Sequence, residues 1–320
     1  MIHLLFTGGT ISMTRDERAG GNLPTHGGEA LVAHAPELQR LAPLHIEDWG
    51  RYPACHMGPD KLWELRNRVA AISRQERPTG IVITHGTDTI EETAYLLART
   101  LDSEIPVAIT GAMRTSSDPG WDGPDNLTAA ARVAADPASR GRGTMVVFAG
   151  KIFAGHQAAK IEATALEAFG APHAGPIGEV RHGRVDYTLG PQSCVAPHSS
   201  ALPHGLTARV ALIPMIIGDQ GELLDLARPI HDGVVLMAFG AGNLPPGALP
   251  AVRRWLAEGK PVVLSTRCPR GQVTPIYAFP GGGATLVREG VIPAGPRTPS
   301  QARMELVISL SAGVGYGEGW

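Results

Sequence analysis

The sequence predicts an α/β protein of two domains. The larger N-terminal domain has a mainly parallel sheet with helices on both faces, and the smaller C-terminal domain is an α/β domain with a parallel sheet. Short apolar runs alternate with helical patterns along most of the chain, as in sheets covered by helices on both faces. Turns rich in glycine and threonine follow several of these runs. Residues 189–206 are polar, contain prolines and lack periodicity, so we interpret them as an interdomain linker.

The apolar runs and helical patterns place the elements in order. The predicted strands are residues 2–6, 81–84, 107–110 and 145–149 before the linker, and 210–215, 234–239 and 262–265 after it. The predicted helices are residues 59–74, 91–101, 127–135, 248–258 and 302–311. The second helix has a start signal, because Thr89 followed by Glu92 has the spacing of a capping box. The predicted domains are therefore residues 1–188 and 207–320.

Composition limits the classes of partner and the cellular location. A chain of 320 residues suits two domains, and 43% hydrophobic with 18% charged residues is typical of a globular protein. A net charge of -2 gives no electrostatic reason to expect nucleic acid or an anionic membrane as a partner. No apolar stretch approaches membrane-spanning length, and the N-terminal residues run directly into a strand, so we expect no leader. We therefore predict a cytoplasmic protein.

Cysteines and histidines give no sign of a metal site. The three cysteines are widely spaced, and no C-x-x-C pair or compact histidine pattern occurs. We therefore expect no metal, and we expect His85 to orient its loop or to satisfy a backbone group.

The first candidate site is the turn that follows the first strand, Thr7-Gly-Gly-Thr10-Ile11. A threonine hydroxyl is a weak nucleophile unless a base and fixed geometry assist it. Gly8 and Gly9 allow close approach and expose backbone N–H groups that can stabilise an anion. The alternative is a tight turn in which Thr10 bonds its own backbone. Residues 13–26, rich in Arg, Asp and Gly, are predicted to form a mobile loop that acts as a lid.

The second candidate site is the run Thr84-His-Gly-Thr-Asp-Thr89, which also closes an apolar strand. Because open α/β sheets bind ligands at the carboxyl ends of their strands, the two loops are expected to share a pocket. Thr87 would offer a second hydroxyl, and Asp88 would either hold a substrate ammonium group or cap the following helix. Lys160 is either a desolvated group that acts as a base or stabilises negative charge, or a solvated surface group.

These motifs resemble those of the bacterial-type L-asparaginases, a threonine amidohydrolase family that includes glutaminase-asparaginases. The resemblance covers nearly the whole chain. The residues that carry it are Thr7–Ile11, Ile83–Ala94, Gly111-Ala-Met-Arg114, Asp122-Gly-Pro-Asp-Asn-Leu127, Gly175-Pro-Ile-Gly178 and Gly240-Ala-Gly-Asn-Leu244.

The resemblance implies a role for each matched position. Thr10 would be the nucleophile that forms an acyl-enzyme with the side-chain carbonyl of L-asparagine. Thr87, Asp88 and Lys160 would complete the catalytic set. The positions expected to bind substrate are Gly9, Ala54, Gly86, Thr87, Asp88, Ala112 and Asn243. The resemblance further implies a homodimer or homotetramer, no cofactor, and Asn243 reaching a neighbouring subunit's site.

Three departures from the family pattern leave the natural substrate open. Ala54 stands where many relatives have a serine that binds the substrate α-carboxylate. Residues 13–28 contain no tyrosine, although many relatives have one beside the nucleophile, and residues 272–283 lack the acidic residue that some contribute across the dimer. The alternatives to an L-asparaginase are therefore an amidohydrolase that prefers L-glutamine or a longer amide, and a non-catalytic amino-acid sensor on the same fold.

Overall fold

The structure is a computed structural model, and it describes residues 1–190, 202 and 204–317. The chain divides into two compact units, Met1–Ser199 and Ser200–Trp320. Most of the predicted linker, namely residues 191–201 and 203, lies outside the described residues.

The first unit is built on a sheet of eight strands. Its strands and two smaller hairpins are β1 (Ile2–Gly8), β2 (Met13–Asp16), β3 (Gly21–Pro24), β4 (Leu44–Tyr52), β5 (Gly80–Thr84), β6 (Val107–Thr110), β7 (Thr144–Phe148), β8 (Lys151–Ala154), β9 (Ala159–Lys160), β10 (Phe169–Gly170), β11 (Gly178–Arg181) and β12 (Arg184–Tyr187). The large sheet has the order β12-β11-β8-β7-β6-β5-β1-β4. The five strands from β4 to β7 in that order are parallel, and the other three are antiparallel.

Helices cover both faces of this sheet. They are α1 (Gly28–Ala33), α2 (Leu38–Leu41), α3 (Pro59–Ala71), α4 (Ile90–Thr100) and α5 (Gly123–Ala135). Strands β1, β5, β6 and β7 are buried along their whole length, as expected for parallel strands covered on both faces. Helix α5 shares a core with Leu4, Val82 and Ala108, so the alternate residues of these strands face the other layer.

The second unit is a smaller α/β domain with a sheet of four parallel strands. Its elements are β13 (Val210–Pro214), α6 (Glu222–Ala227), β14 (Gly233–Ala238), α7 (Leu249–Ala257), β15 (Val262–Thr266), α8 (Gly283–Arg288), β16 (Ile292–Pro293) and α9 (Pro299–Ala312). Trp255 of α7 is buried against Leu236 on one face, and Leu306 of α9 packs with Val235 on the other. In the part of the chain that is described, no helix combines the length and apolar character needed to cross a membrane.

The predicted fold class is confirmed, and each predicted strand and helix has a counterpart. Two helices begin a turn or so earlier than predicted, α5 at Gly123 and α9 at Pro299. Each has a proline in its first turn, where a missing N–H is tolerated, and this proline obscured the start of the helical pattern. The strands missed by the prediction include β4 at the sheet edge, whose exposure does not alternate regularly.

The predicted capping box was wrong, and the predicted loop at residues 13–26 has regular structure. Thr89 precedes α4, but its side chain makes no capping bond; its hydroxyl is turned towards the Ala54 carbonyl, to which it donates at 3.2 Å. Residues 13–26, predicted to form a mobile loop that acts as a lid, contain the β2–β3 hairpin, and the lid role stays a prediction. The hairpin is tied down, since Ser116 donates both its N–H and its hydroxyl to the Met13 carbonyl, each at 3.1 Å.

Candidate active site

The two predicted loops leave neighbouring strands at the same edge of the large sheet. Phe6 of β1 is paired with Thr84 of β5, and Thr84 is paired with Thr110 of β6. The Thr7 hydroxyl donates to the Thr84 carbonyl at 2.8 Å, and the His85 N–H donates to the Thr110 carbonyl at 2.8 Å. The carboxyl ends of three parallel strands are therefore held together, in the position where such sheets bind ligands.

Gly9 brings the first loop into direct contact with the second. Its φ is +85°, and a Cβ there would lie 2.5 Å from the Cα of Gly86. No side chain fits this position without moving one loop. The Gly9 N–H donates to the Tyr52 carbonyl at 3.1 Å, so it is not available to a ligand. Gly9 instead allows the two loops to approach each other closely.

Thr10 opens a short 3-10 turn and is half-buried. Among the described residues, none forms a hydrogen bond with its hydroxyl. The tight-turn alternative is not observed, because Ser12, not Thr10, donates its hydroxyl to the Gly9 carbonyl, at 2.8 Å. The Thr10 oxygen is therefore available for chemistry.

Thr87, Asp88 and Lys160 form one polar cluster. The Lys160 Nζ lies 3.0 Å from the Thr87 Oγ1 and 2.7 Å from the Asp88 Oδ1. The Lys160 side chain is only 17% exposed, so it is not a solvated surface lysine. Because an ammonium group only donates, Thr87 accepts this bond and keeps its own hydroxyl hydrogen for another partner.

Asp88 combines an ion pair with exposure to solvent. Its side chain is 69% exposed, and no side-chain cap is made at the turn Thr87–Thr89 that leads into α4. The helix-cap alternative for Asp88 is therefore not observed. One carboxylate oxygen is held by Lys160, which leaves the other accessible to a ligand.

His85 supports the second loop from below and is fully buried. Its Nδ1 lies 2.9 Å from the Gly86 carbonyl and its Nε2 lies 3.1 Å from the Thr93 hydroxyl. Because a carbonyl only accepts, Nδ1 carries the hydrogen and Nε2 accepts from Thr93. Burial lowers the pKa of His85, although the bond to the Gly86 carbonyl acts in the opposite direction. The neutral ring thus orients the loop, as predicted.

Gly86 and Ala54 bring a third loop against the other two. A Cβ at Gly86 would lie 2.6 Å from the Cβ of Ala54, which is buried. Ala54 itself has no side-chain group that could bind a carboxylate.

Ala112 lies in a fourth loop, after β6, and is fully buried. The neighbouring Gly111 is packed tightly, since a Cβ there would lie 2.5 Å from the His85 carbonyl oxygen. Asp122 and Asn126, which carried part of the resemblance but were assigned no role, hydrogen-bond to the backbone on either side of Ala112. The sequence signal for these two residues was their place in the polar motif Asp122–Leu127.

Asn243 is a predicted site residue that lies in the second unit. Its Oδ1 accepts the Gly283 N–H at 3.2 Å, and its backbone pairs with Phe239 to close a tight loop after β14. The residues that the first unit by itself brings to this sheet edge are Gly9, Thr10, Ala54, Gly86, Thr87, Asp88, Ala112 and Lys160. Asn243 lies in the second unit, so its predicted place in the site stays a prediction.

One group in the described residues has the composition of a metal site, although none was predicted. Ligand atoms of His3, His45 and Glu47 lie within 4.8 Å of one another. His3 is already bonded to Glu47 at 2.8 Å and to Glu76 at 2.9 Å, and Arg68 donates to both Glu47 oxygens. We interpret this group as an ion-pair network that joins β1 and β4 below the candidate site.

Comparisons with known proteins show which family the chain is similar to. The sequence matches the family "Asparaginase, N-terminal" over residues 1–193 and "Glutaminase/Asparaginase C-terminal domain" over residues 209–317. It is 37% identical to the probable L-asparaginase of Deinococcus radiodurans, with 97% of this chain and 92% of that protein covered. It is 31% identical to L-asparaginase 2 of Escherichia coli, with 97% and 88% covered. The probable cytoplasmic L-asparaginase of Campylobacter jejuni, a crystal structure, superposes with a TM-score of 0.81 at 27% identity, covering 97% of this chain and 94% of that one.

Proposed function

Because the chain belongs to the asparaginase family, we propose that it is an L-asparaginase that hydrolyses the side-chain amide of L-asparagine to L-aspartate and ammonia. One observation carries the proposal. Lys160 bridges Thr87 and Asp88 directly beside the contact between Gly9 and Gly86. Two hydroxyl-bearing loops, a cation and an exposed carboxylate are thereby placed at one sheet edge.

In the proposed reaction Thr10 is the nucleophile. Its Oγ bonds to the carbonyl carbon of the substrate side chain, the C–N bond breaks, and the leaving nitrogen takes up the hydroxyl proton and departs as ammonia. Water then hydrolyses the resulting ester, which yields aspartate and restores the hydroxyl. The absence of a hydrogen bond from any described residue to the Thr10 hydroxyl supports this role.

The charge that develops on the carbonyl oxygen requires donors. Thr10 and Thr87 each begin a 3-10 turn, and the first N–H groups of such a turn have no acceptor within it. We propose that these N–H groups stabilise the oxyanion. The Gly9 N–H is not one of the donors, because it is bonded to Tyr52.

The cluster around Lys160 has two proposed roles. Lys160 holds the Thr87 oxygen, so the Thr87 hydroxyl hydrogen can be donated to the reacting centre or to the attacking water. The free oxygen of Asp88 accepts the substrate α-ammonium group. These steps use only side chains and water, so we propose that no cofactor or metal takes part, and EDTA is expected to leave ammonia release unchanged.

Ala54 favours a second candidate within the same family. Without a side-chain donor at this position, recognition of the α-carboxylate is altered, and L-glutamine or a longer amide becomes an alternative substrate. A sensor without catalysis is the remaining alternative. Ammonia release from L-asparagine and L-glutamine, compared at equal concentrations, separates the first two activities from each other.

We also propose a cytoplasmic location and a homodimer or homotetramer. The similarity to a protein described as cytoplasmic supports the location. Large apolar side chains exposed on the second unit support self-association: Ile216, Ile217, Leu223, Leu226 and Ile230. Sedimentation equilibrium tests the assembly, and a mass of one chain would contradict it.

The decisive experiment for the function is ammonia and aspartate release by the native chain and by Thr10→Ala. We expect equimolar products from the native chain and a rate lower by a factor of about 100 or more from the variant. Thr79→Ala is the control, because Thr79 is an exposed threonine that precedes β5 at the opposite edge of the sheet. A sensor would bind asparagine without releasing ammonia in a Thr10-dependent manner.

A further inference from the structure

Asp122 occupies the position that normally caps a helix, yet it does not cap α5. It is the N-cap residue, but its side chain makes no bond to the first turn of the helix. Its carboxylate instead accepts the N–H groups of Met113 at 3.0 Å and Arg114 at 2.9 Å. An N-cap bond stabilises a helix by about 1 kcal/mol, and α5 forgoes this stabilisation. The carboxylate stabilises the loop after β6 instead.

Asn126 completes the arrangement from the next turn of α5. Its Nδ2 donates to the Gly111 carbonyl at 3.1 Å and to the Asp122 Oδ2 at 3.0 Å, while its Oδ1 accepts the Ala149 N–H at 3.0 Å. These partners fix the orientation of the Asn126 amide. If the amide were flipped, its oxygen would face the Gly111 carbonyl and the Asp122 carboxylate, and its NH₂ would face the Ala149 N–H. The side chain is buried, so an unsatisfied group here would be costly.

The two side chains therefore hold the backbone on both sides of Ala112. The preceding carbonyl, of Gly111, is bound by Asn126, and the following N–H, of Met113, is bound by Asp122. Ala149, the other partner of Asn126, is held at a φ of +47°, a strained conformation for a residue with a Cβ. Asn126 thus also joins the turn after β7 to the loop after β6.

We propose that Asp122 and Asn126 are positioning residues that fix the Ala112 peptide so that its carbonyl accepts a hydrogen bond from the carboxamide NH₂ of the substrate. This inference rests on the proposed function and on the expectation, implied by the family resemblance, that Ala112 binds the substrate amide. Asp122 and Asn126 would then determine the preference of the enzyme for an amide substrate over an ester substrate, since an ester has no N–H to donate to the Ala112 carbonyl.

A cavity behind the pair makes isosteric substitutions suitable for a test. Asp122, Asn126 and Ala149 line a space of about 560 Å³, so changes of charge at these positions do not require repacking of a solid core. Asn126→Asp replaces the donating NH₂ by an oxygen that faces the Gly111 carbonyl and Asp122. Asp122→Asn keeps one acceptor but replaces the other by a donor that opposes the N–H groups of the loop.

The experiment compares L-asparagine with the β-methyl ester of L-aspartate. For both variants we expect kcat/KM for asparagine to fall roughly 10-fold to 100-fold, as for a lost buried hydrogen bond, and kcat/KM for the ester to change by less than about 3-fold. The matched control is Asp125→Asn, which removes an exposed carboxylate from the same helix turn and is expected to leave both values unchanged. Circular dichroism verifies that each variant is folded.

The outcomes separate this inference from the proposed function. Equal losses for both substrates in a folded variant, or no loss for either, would overturn the positioning role. If Asn126→Asp does not fold, the more conservative Asp122→Asn decides the question by the same comparison. A native chain that shows no Thr10-dependent hydrolysis of asparagine would instead refute the function itself.

Discussion

Gly9 and Gly86 lie so close that the first loop could not carry a Cβ at the point where it passes the second. A Cβ at Gly9 would be 2.5 Å from the Gly86 Cα and 2.7 Å from the carbonyl carbon of His85. The φ of +85° with ψ of -179° at Gly9 is also a conformation used almost only by glycine. This contact is the reason that Thr10 and Thr87, each one residue further on, are expected to act on one substrate.

Gly9→Ala is expected to separate the two loops. We predict a loss of stability greater than about 3 kcal/mol, or a folded protein with activity reduced more than about 100-fold, because backbone atoms cannot yield as a flexible side chain does. Gly20→Ala is the matched control. Gly20 has a φ of +69° but nothing within 4 Å of a Cβ, so only the backbone strain of about 1–2 kcal/mol applies. Urea denaturation and ammonia release measure both effects, and similar behaviour of the two variants would contradict the close contact.

Asp88→Asn is expected to impair recognition of the substrate amino group. The variant keeps the shape of the side chain but removes the charge that attracts an ammonium group. We predict that native protein prefers L-asparagine over N-acetyl-L-asparagine and that the variant loses at least about 10-fold of this preference, as for a charged hydrogen bond. Asp60→Asn, at an exposed carboxylate in the first turn of α3, is the control. An unchanged ratio of kcat/KM values for the two substrates would remove Asp88 from amino-group binding.

Lys160→Met is expected to lower kcat by a factor of about 100 or more, in the range found when a positioned catalytic group is lost. The substitution retains the length of the side chain but removes the donor that holds the Thr87 oxygen. Lys151→Met is a matched control, because Lys151 forms a comparable ion pair of 2.7 Å with Glu167 in an exposed position. Steady-state kinetics would refute the role of Lys160 if both lysine variants retained native kcat.

The burial of His85 predicts a specific dependence of stability on pH. Its pKa lies below the ordinary value of 6.5 in the folded protein, so below pH 6.5 the unfolded chain binds more protons than the folded one. Stability is therefore lost as the pH falls below 6.5, by up to about 1.4 kcal/mol per pH unit.

The test is the urea midpoint at pH 7 and pH 5.5 for the native chain and for His85→Asn, which retains a donor for the Gly86 carbonyl. We expect a smaller shift between the two pH values in the variant. His204→Gln, at an exposed histidine, serves as control and is expected to show the native shift. A native-sized shift in His85→Asn would show that His85 is not the group responsible.

The sequence was sufficient to locate the two hydroxyl loops because buried parallel strands have a clear pattern and their carboxyl ends meet. It could not establish the partners of these loops. Lys160 has no distinguishing local pattern, and its contact with Thr87 depends on a strand pair, β9–β10, of only two residues per strand. The β2–β3 hairpin was missed because its residues are largely polar and lack an apolar face.

Competition between local and tertiary hydrogen-bond partners explains the missing cap at Thr89, and Asp122 shows the same effect. Thr89 has the spacing of a capping box, but the carbonyl of Ala54, from a distant loop, takes its hydroxyl. Asp122 likewise precedes a helix and yet bonds to Met113 and Arg114. In both cases a tertiary partner displaces the local one, and spacing along the chain does not reveal such a partner.

The most direct test of a shared site is a double-mutant cycle on asparagine hydrolysis with Thr10→Ala and Thr87→Val. The effects of two residues that act on one reacting group are not additive. We therefore predict that each single variant loses a factor of about 100 or more in kcat and that the double variant is only a few-fold below the less active single variant. Losses that multiply fully in the double variant, or a Thr87→Val enzyme with native kcat, would mean that the two hydroxyls do not serve the same carboxamide.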